Sequence, residues 1–117
     1  MSSSDERARD WLEDIVANCK RIDSYVKGFT FEQFAADGKT VDAVERCLQR
    51  ISEAAIRIGE ERLRQVAPDL PIRQVRGLGN ILRHHYDRID PKLIWDTAQF
   101  DLPPFRSACE AALARGE

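Results

Sequence analysis

Histidine is scarce in this sequence, and long apolar runs are absent. The 117 residues include only two histidines, which stand next to each other at His84 and His85. No run approaches the roughly 18 apolar residues that a membrane span requires. The first residues also lack the apolar core of a signal peptide. We therefore expect a cytoplasmic protein with no membrane segment.

Basic charge is not in excess. The chain has 18 lysines and arginines against 20 aspartates and glutamates, a formal net charge of −2, which argues against a generally basic nucleic-acid-binding protein. Positive charge is concentrated locally instead, because residues 73–90 contain four arginines and two aspartates. Any contact with RNA is therefore expected in that segment.

Cysteine is sparse and widely spaced. Cys19, Cys47 and Cys109 form no C-x-x-C pair, and each lies within a helical apolar pattern. An odd number of such residues indicates reduced thiols in the core of a cytoplasmic protein. We expect no metal site and no cofactor.

The fold is predicted to be all-α. No segment alternates as a strand does, and no glycine-rich phosphate loop or internal repeat is present. Apolar residues recur every three or four positions, which predicts one domain over residues 1–117, an antiparallel bundle of four to five helices. The predicted helices, including one short helix, span about residues 5–27, 30–36, 40–66, 72–87, 91–100 and 105–114.

Several boundaries rest on local signals. Thr30 and Gln33 form a predicted capping box, and Asp37-Gly38 reads as a turn. Asp90-Pro91 is a typical helix start, and residues 101–104 (Asp-Leu-Pro-Pro) are expected to break the helix before them. Trp11 and Tyr25 lie on the apolar stripe of the first helix and are expected in the core.

The predicted helix over residues 72–87 has two distinct faces. Ile72, Val75, Leu78, Leu82 and Tyr86 form an apolar stripe, whereas the opposite side carries Arg73, Arg76, Asn80, Arg83, His84 and Asp87. A solvated surface is the ordinary interpretation of such a polar stripe. However, solvated faces usually pair opposite charges at i,i+4, and here arginine dominates.

Gly77 and Gly79 lie in the same helix, where each costs roughly 0.5–1 kcal/mol relative to alanine. Another helix or a phosphate backbone approaching closely would account for them, as would a packed dimer contact.

The polar stripe holds the groups that RNA cleavage without a metal requires. Histidine transfers protons near neutral pH, which makes His84 the candidate acid–base residue. Guanidinium groups stabilise charge that develops at phosphorus, a role open to Arg76. Asn80 could hold a phosphate oxygen or orient the imidazole.

Residues 77–90 resemble the signature of the HepT-like toxins, which are HEPN-domain ribonucleases. That signature reads Arg-polar-x-x-x-His-x-Tyr, and Asn80, His84 and Tyr86 match its polar residue, histidine and tyrosine. The likeness continues through Glu53-Ala54 in the preceding helix, Pro68 to Pro71, and the C-terminal segment. There is one departure, since Gly79 stands where the family has arginine.

The resemblance implies an HEPN-like helical homodimer in which two motifs face each other. It implies a metal-independent endoribonuclease toxin, paired with an MNT-type nucleotidyltransferase antitoxin that binds the toxin and can transfer AMP to Tyr86. Glu53 would lie near the site or the dimer contact, where a carboxylate could orient an arginine; a solvated glutamate is the alternative interpretation. Arg76 or Arg83 could supply the missing guanidinium group. The alternative is a non-catalytic helical dimer that retains the nucleotidyltransferase as its partner.

Overall fold

The computed structural model describes residues 3–70, 73, 75–77, 79 and 90–116. These residues form helices joined by short connections, with no β-strand among them. The expected all-α class is confirmed. The helices are α1 (Ser3–Val26), α2 (Phe31–Ala36), α3 (Gly38–Ile58), α4 (Glu60–Val66), α5 (Pro91–Asp96) and α6 (Leu102–Ala114), with a π-helix (Thr97–Asp101) between the last two.

The core is built around α1, which packs against both α3 and α6. Their apolar stripes supply fully buried side chains such as Ile15, Ile51 and Phe105. Trp11 is only half-buried at the edge of this core. The expectation for Tyr25 was wrong, because it is 39% exposed near the end of α1.

The capping box before α2 is confirmed. Thr30 Oγ1 accepts a hydrogen bond from the main-chain N–H of Gln33, and Gln33 Oε1 accepts one from the N–H of Thr30, at 3.2 and 2.9 Å. Asp37-Gly38 is not a free turn, because Asp37 accepts from the N–H of Thr40 and caps α3, which begins at Gly38. One residue thus closes α2 and opens α3.

The long helix expected over residues 40–66 is divided. α3 ends at Ile58, Gly59 has a φ of +95°, and α4 begins at Glu60. A positive φ cannot continue a right-handed helix, and glycine adopts it without the steric cost of a Cβ. The apolar spacing continues across this interruption, so periodicity alone predicted a single helix.

The C-terminal helices differ from prediction in the opposite way. Asp90 accepts from the N–H of Lys92 at 2.9 Å and caps α5, as expected. The predicted break over residues 101–104 does not occur, because α5 passes through the π-helix directly into α6. Pro103 and Pro104 fall in the first turn of α6, where a missing N–H is best tolerated.

The three cysteines are free and buried, as predicted. Burial raises the pKa of the Cys19 and Cys109 thiols from 9.0 to about 12 in each case. No helix in the described part of the chain is long and apolar enough to cross a bilayer.

Candidate functional site

The described residues of the predicted arginine-rich helix are residues 73, 75–77 and 79, here called the Arg76 segment, and all of them are helical. Val75 is buried and Arg73 is exposed, which agrees with the two faces expected from the sequence. Asn80, Arg83, His84 and Tyr86 lie outside the described residues.

Gly79 packs directly against α3. It is buried, and a Cβ placed on it would overlap the Ser52 side chain and stand 3.5 Å from the Ser52 Cα. Ser52 is itself fully buried, and its hydroxyl donates a hydrogen bond to the main-chain oxygen of Arg76 at 3.2 Å. The expected close approach of another helix is therefore found at Gly79, within one chain. Gly77 faces open space within 4 Å.

Three arginines meet one carboxylate at the beginning of α4. Glu60 Oε1 lies 3.4 Å from Arg73 Nε and 3.7 Å from Arg76 Nη1, and Glu60 Oε2 lies 3.7 Å from Arg64 Nη2. These four side chains leave an excess of two positive charges. The side chain of Arg76 is the most covered of the three, with 29% exposed, whereas that of Arg73 is 84% exposed.

This arrangement can hold an anion. Guanidinium groups remain charged and carry several fixed donors, so they bind phosphate oxygens well. Ion pairs this exposed are weak, typically ~0–1 kcal/mol, so a phosphate could bind the guanidinium donors that Glu60 leaves free and share the others at small cost. Glu60 was not among the candidates from sequence. Its i,i+4 relation to Arg64 was visible there, but its contact with the Arg76 segment is tertiary.

Glu53 does not join this cluster. Its carboxylate pairs with Arg57 on the next turn of α3, with Oε1 and Nη2 3.2 Å apart, and both side chains are exposed. Its partner is Arg57 and not Arg76, and the role that the resemblance implies for Glu53 stays a prediction. Among the described residues, no group of three or more histidine, cysteine, aspartate or glutamate side chains is placed to hold a metal ion.

Comparison with known proteins identifies the family. The family model described as Ribonuclease HepT-like matches residues 15–112, which is most of the chain. This chain belongs to the HepT-like ribonuclease family. The match includes α3, α4, the Arg76 segment and α5.

Individual relatives agree with this HepT-like assignment. The chain is 31% identical over 102 residues to a protein of Thermococcus cleftensis named "Probable ribonuclease HepT", covering 87% of this chain and 92% of the relative. It is 36% identical over 96 residues to an RNase candidate of Methanocaldococcus jannaschii, covering 82% and 77%. A second RNase candidate of that organism is 31% identical over 110 residues, covering 94% and 98%. No solved structure gives a significant match.

Proposed function

We propose that this chain is a metal-independent endoribonuclease and the toxin of a two-gene toxin–antitoxin system. The observation that carries the proposal is the family match over residues 15–112, because it includes the Arg76 segment with its excess of guanidinium groups. The names of the relatives support the substrate class, RNA. The toxin role follows from the resemblance to HepT-like toxins.

The proposed reaction uses the RNA's own 2′-hydroxyl as nucleophile. His84 accepts its proton as the 2′-oxygen bonds to phosphorus, and the bond from phosphorus to the 5′-oxygen breaks. The departing 5′-oxygen takes a proton from solvent and His84 later returns its proton to solvent, which leaves a 2′,3′-cyclic phosphate and a 5′-hydroxyl. Arg76 stabilises the charge on the phosphoryl oxygens, with Asn80 holding one of them and Arg83 in a smaller supporting role.

Two further parts of the proposal concern partners. The chain acts as a homodimer, because one helix carries a single candidate histidine and a second copy can complete the site. A nucleotidyltransferase antitoxin of the MNT type binds the toxin, transfers AMP to Tyr86, or does both. A bulky anion next to His84 would exclude RNA sterically and electrostatically.

The test is cleavage of a mixed-sequence RNA by the purified chain in EDTA. His84→Ala and Arg76→Ala should each abolish cleavage while leaving the melting temperature and the light-scattering mass nearly unchanged. The matched control is Arg73→Ala, which removes the same charge from a more exposed partner of Glu60 and should retain most activity. Loss of activity in EDTA with recovery on adding magnesium would contradict the mechanism, and a monomer at micromolar concentration would contradict the dimer.

A second candidate function is a non-catalytic helical partner of the nucleotidyltransferase. The specific observation in its favour is Gly79, which replaces the motif arginine and leaves no room for any side chain beside Ser52. An arginine cannot simply be restored there, so Gly79→Arg is not a usable test. Expression without the antitoxin separates the two functions, because growth arrest with RNA loss that Arg76→Ala removes favours the nuclease. Unimpaired growth and intact RNA favour the partner role.

A further inference from the structure

A groove runs between α1 and α3 on a different side of α3 from the Arg76 segment. It encloses about 430 Å³ and is lined by one stripe of each helix, with Trp11, Asn18 and Arg21 from α1 and Arg50 and Arg57 from α3. At 100° per residue, the α3 stripe lies about 150° around the helix from Ser52. The volume is within the range of small-ligand sites.

Two cations in this groove have no carboxylate partner. Arg57 is held by Glu53, but neither Arg21 nor Arg50 has an Asp or Glu oxygen within 4.0 Å in the described part of the chain. Arg50 also makes a side-chain hydrogen bond with the Cys47 thiol. Two guanidinium groups that line one groove and have no carboxylate partner among the described residues suit a phosphate.

The same groove contains acceptors without donors. Asn18 is 7% exposed, and its Nδ2 donates to the main-chain oxygen of Asp14 at 2.8 Å. That bond fixes the amide orientation and leaves Asn18 Oδ1 buried with no donor among the described residues. A buried acceptor without a partner typically costs ~1–3 kcal/mol. The carboxylate of Asp14 lies beside it and has no cation within 4.0 Å among the described residues.

Trp11 supplies the third element, an aromatic ring. It lines the groove and is only half-buried, so part of the indole is available for contact. RNA-binding sites combine these features, with bases stacked on aromatic rings, base edges hydrogen-bonded and phosphates held by arginine.

We propose that this groove binds one nucleotide of the RNA substrate, with guanine preferred. The inference rests on the proposed function for its choice of RNA. Arg21 and Arg50 hold the phosphate, Trp11 stacks on the base, and Asp14 accepts from the base edge. Guanine presents two adjacent donors, N1–H and N2–H, whereas each of the other three bases presents one donor group. Asn18 Oδ1 is buried, and the contacts assigned here to the nucleotide do not include it.

Fluorescence of Trp11 provides the test. In a Trp95→Phe background Trp11 is the sole tryptophan. Guanosine monophosphate and a 2′-O-methyl RNA pentamer containing one guanosine should both quench it saturably, about tenfold more tightly than their adenosine counterparts. If Trp95→Phe does not fold, the quenching that Trp11→Phe removes from the wild type gives the same measurement.

Variants assign the interaction to named groups. Arg21→Gln and Arg50→Gln should each weaken binding about tenfold, and Asp14→Asn should remove the preference for guanine over adenine. The matched control is Lys20→Gln, which removes one positive charge next to Arg21 but about 120° around α1 from the groove, and which should leave binding within about twofold.

Several outcomes would overturn the proposal. Equal quenching by all bases would refute the preference for guanine. If the mononucleotide binds but the pentamer does not, the groove is not a site for RNA. A change of light-scattering mass in the Arg21 or Arg50 variants, with quenching unchanged, would make the groove a contact between copies. The probes cannot be cleaved, so binding without nuclease activity would refute the proposed function and leave this site standing.

Discussion

The two glycines of the Arg76 segment illustrate how differently one residue type can behave two positions apart. Gly79 is buried on Ser52, and its missing Cβ is the space that lets the two helices approach. Gly77 faces open space within 4 Å. Intrinsic helix propensity gives both glycines the same cost relative to alanine, whereas the helical wheel places only Gly79 beside the apolar stripe.

The pair gives a direct stability prediction. Gly79→Ala should lower the free energy of unfolding by ~1–3 kcal/mol, because the new Cβ overlaps the Ser52 side chain. Gly77→Ala is the control, and it should be neutral or stabilising by up to ~1 kcal/mol, since alanine is the better helix former. Urea unfolding of both variants measures the difference.

Ser52→Gly makes room at the contact. In a Ser52→Gly background, Gly79→Ala should therefore lower the free energy of unfolding by less than it does in the wild type. Equal midpoints for Gly79→Ala and Gly77→Ala would show that the helices do not approach as described.

At the scale of elements, the connection between α3 and α4 determines where Arg76 lies. Gly59 ends α3 with its positive φ, and the redirected chain places Glu60 at the first position of α4. From this position on α4, the Glu60 carboxylate pairs with Arg73 and Arg76 of the Arg76 segment. We therefore predict that the Glu60 carboxylate positions Arg76, in addition to offsetting its charge.

A charge-matched pair of variants tests this positioning role. Glu60→Gln frees three guanidinium groups, so RNA should bind about two- to fivefold more tightly, the equivalent of a weak ion pair. Cleavage at saturating RNA should nevertheless be slower, because Arg76 loses its fixed geometry. KM and kcat should then fall together in Glu60→Gln, while Glu61→Gln, which removes the neighbouring charge, should change neither by more than about twofold.

If both variants behave alike, Glu60 has no special relation to Arg76. If Glu60→Gln only lowers the melting temperature, its role is structural. RNA affinity remains measurable if the wild type does not cleave, so this comparison does not depend on the nuclease proposal.

At the scale of the whole molecule, each of the three long helices contributes one thiol to the interior. Cys19 lies on α1, Cys47 on α3 and Cys109 on α6, and all three are buried. Burial raises the pKa of each thiol, to about 12 for Cys19 and Cys109. Because the thiolate is the reactive species, opening of the core controls their reactivity.

Thiol labelling should therefore report global unfolding. At pH 8 the native protein should react with a disulfide reagent at least ~100-fold more slowly than the urea-unfolded chain, since burial suppresses the thiolate and blocks access. The labelling rate should rise with urea in parallel with unfolding measured by circular dichroism. Fast labelling of one thiol in the native state would show that its helix opens separately.

The sequence by itself determined the all-α class, the α2 capping box, the start of α5 and the three core thiols, because caps and apolar periodicity act through neighbouring residues. It also indicated the family, since the spacing of Asn80, His84 and Tyr86 is local.

Only the tertiary structure decided where periodicity is overridden. At Gly59 a positive φ divides one apolar stripe into two helices, and α6 accommodates Pro103 and Pro104 in its first turn. Likewise, the ion pair of Glu60 with Arg76, the contact of Gly79 with Ser52 and the groove beside Asn18 depend on contacts between residues far apart in the chain. No pattern within one helix specifies such contacts, because they form only when the helices pack.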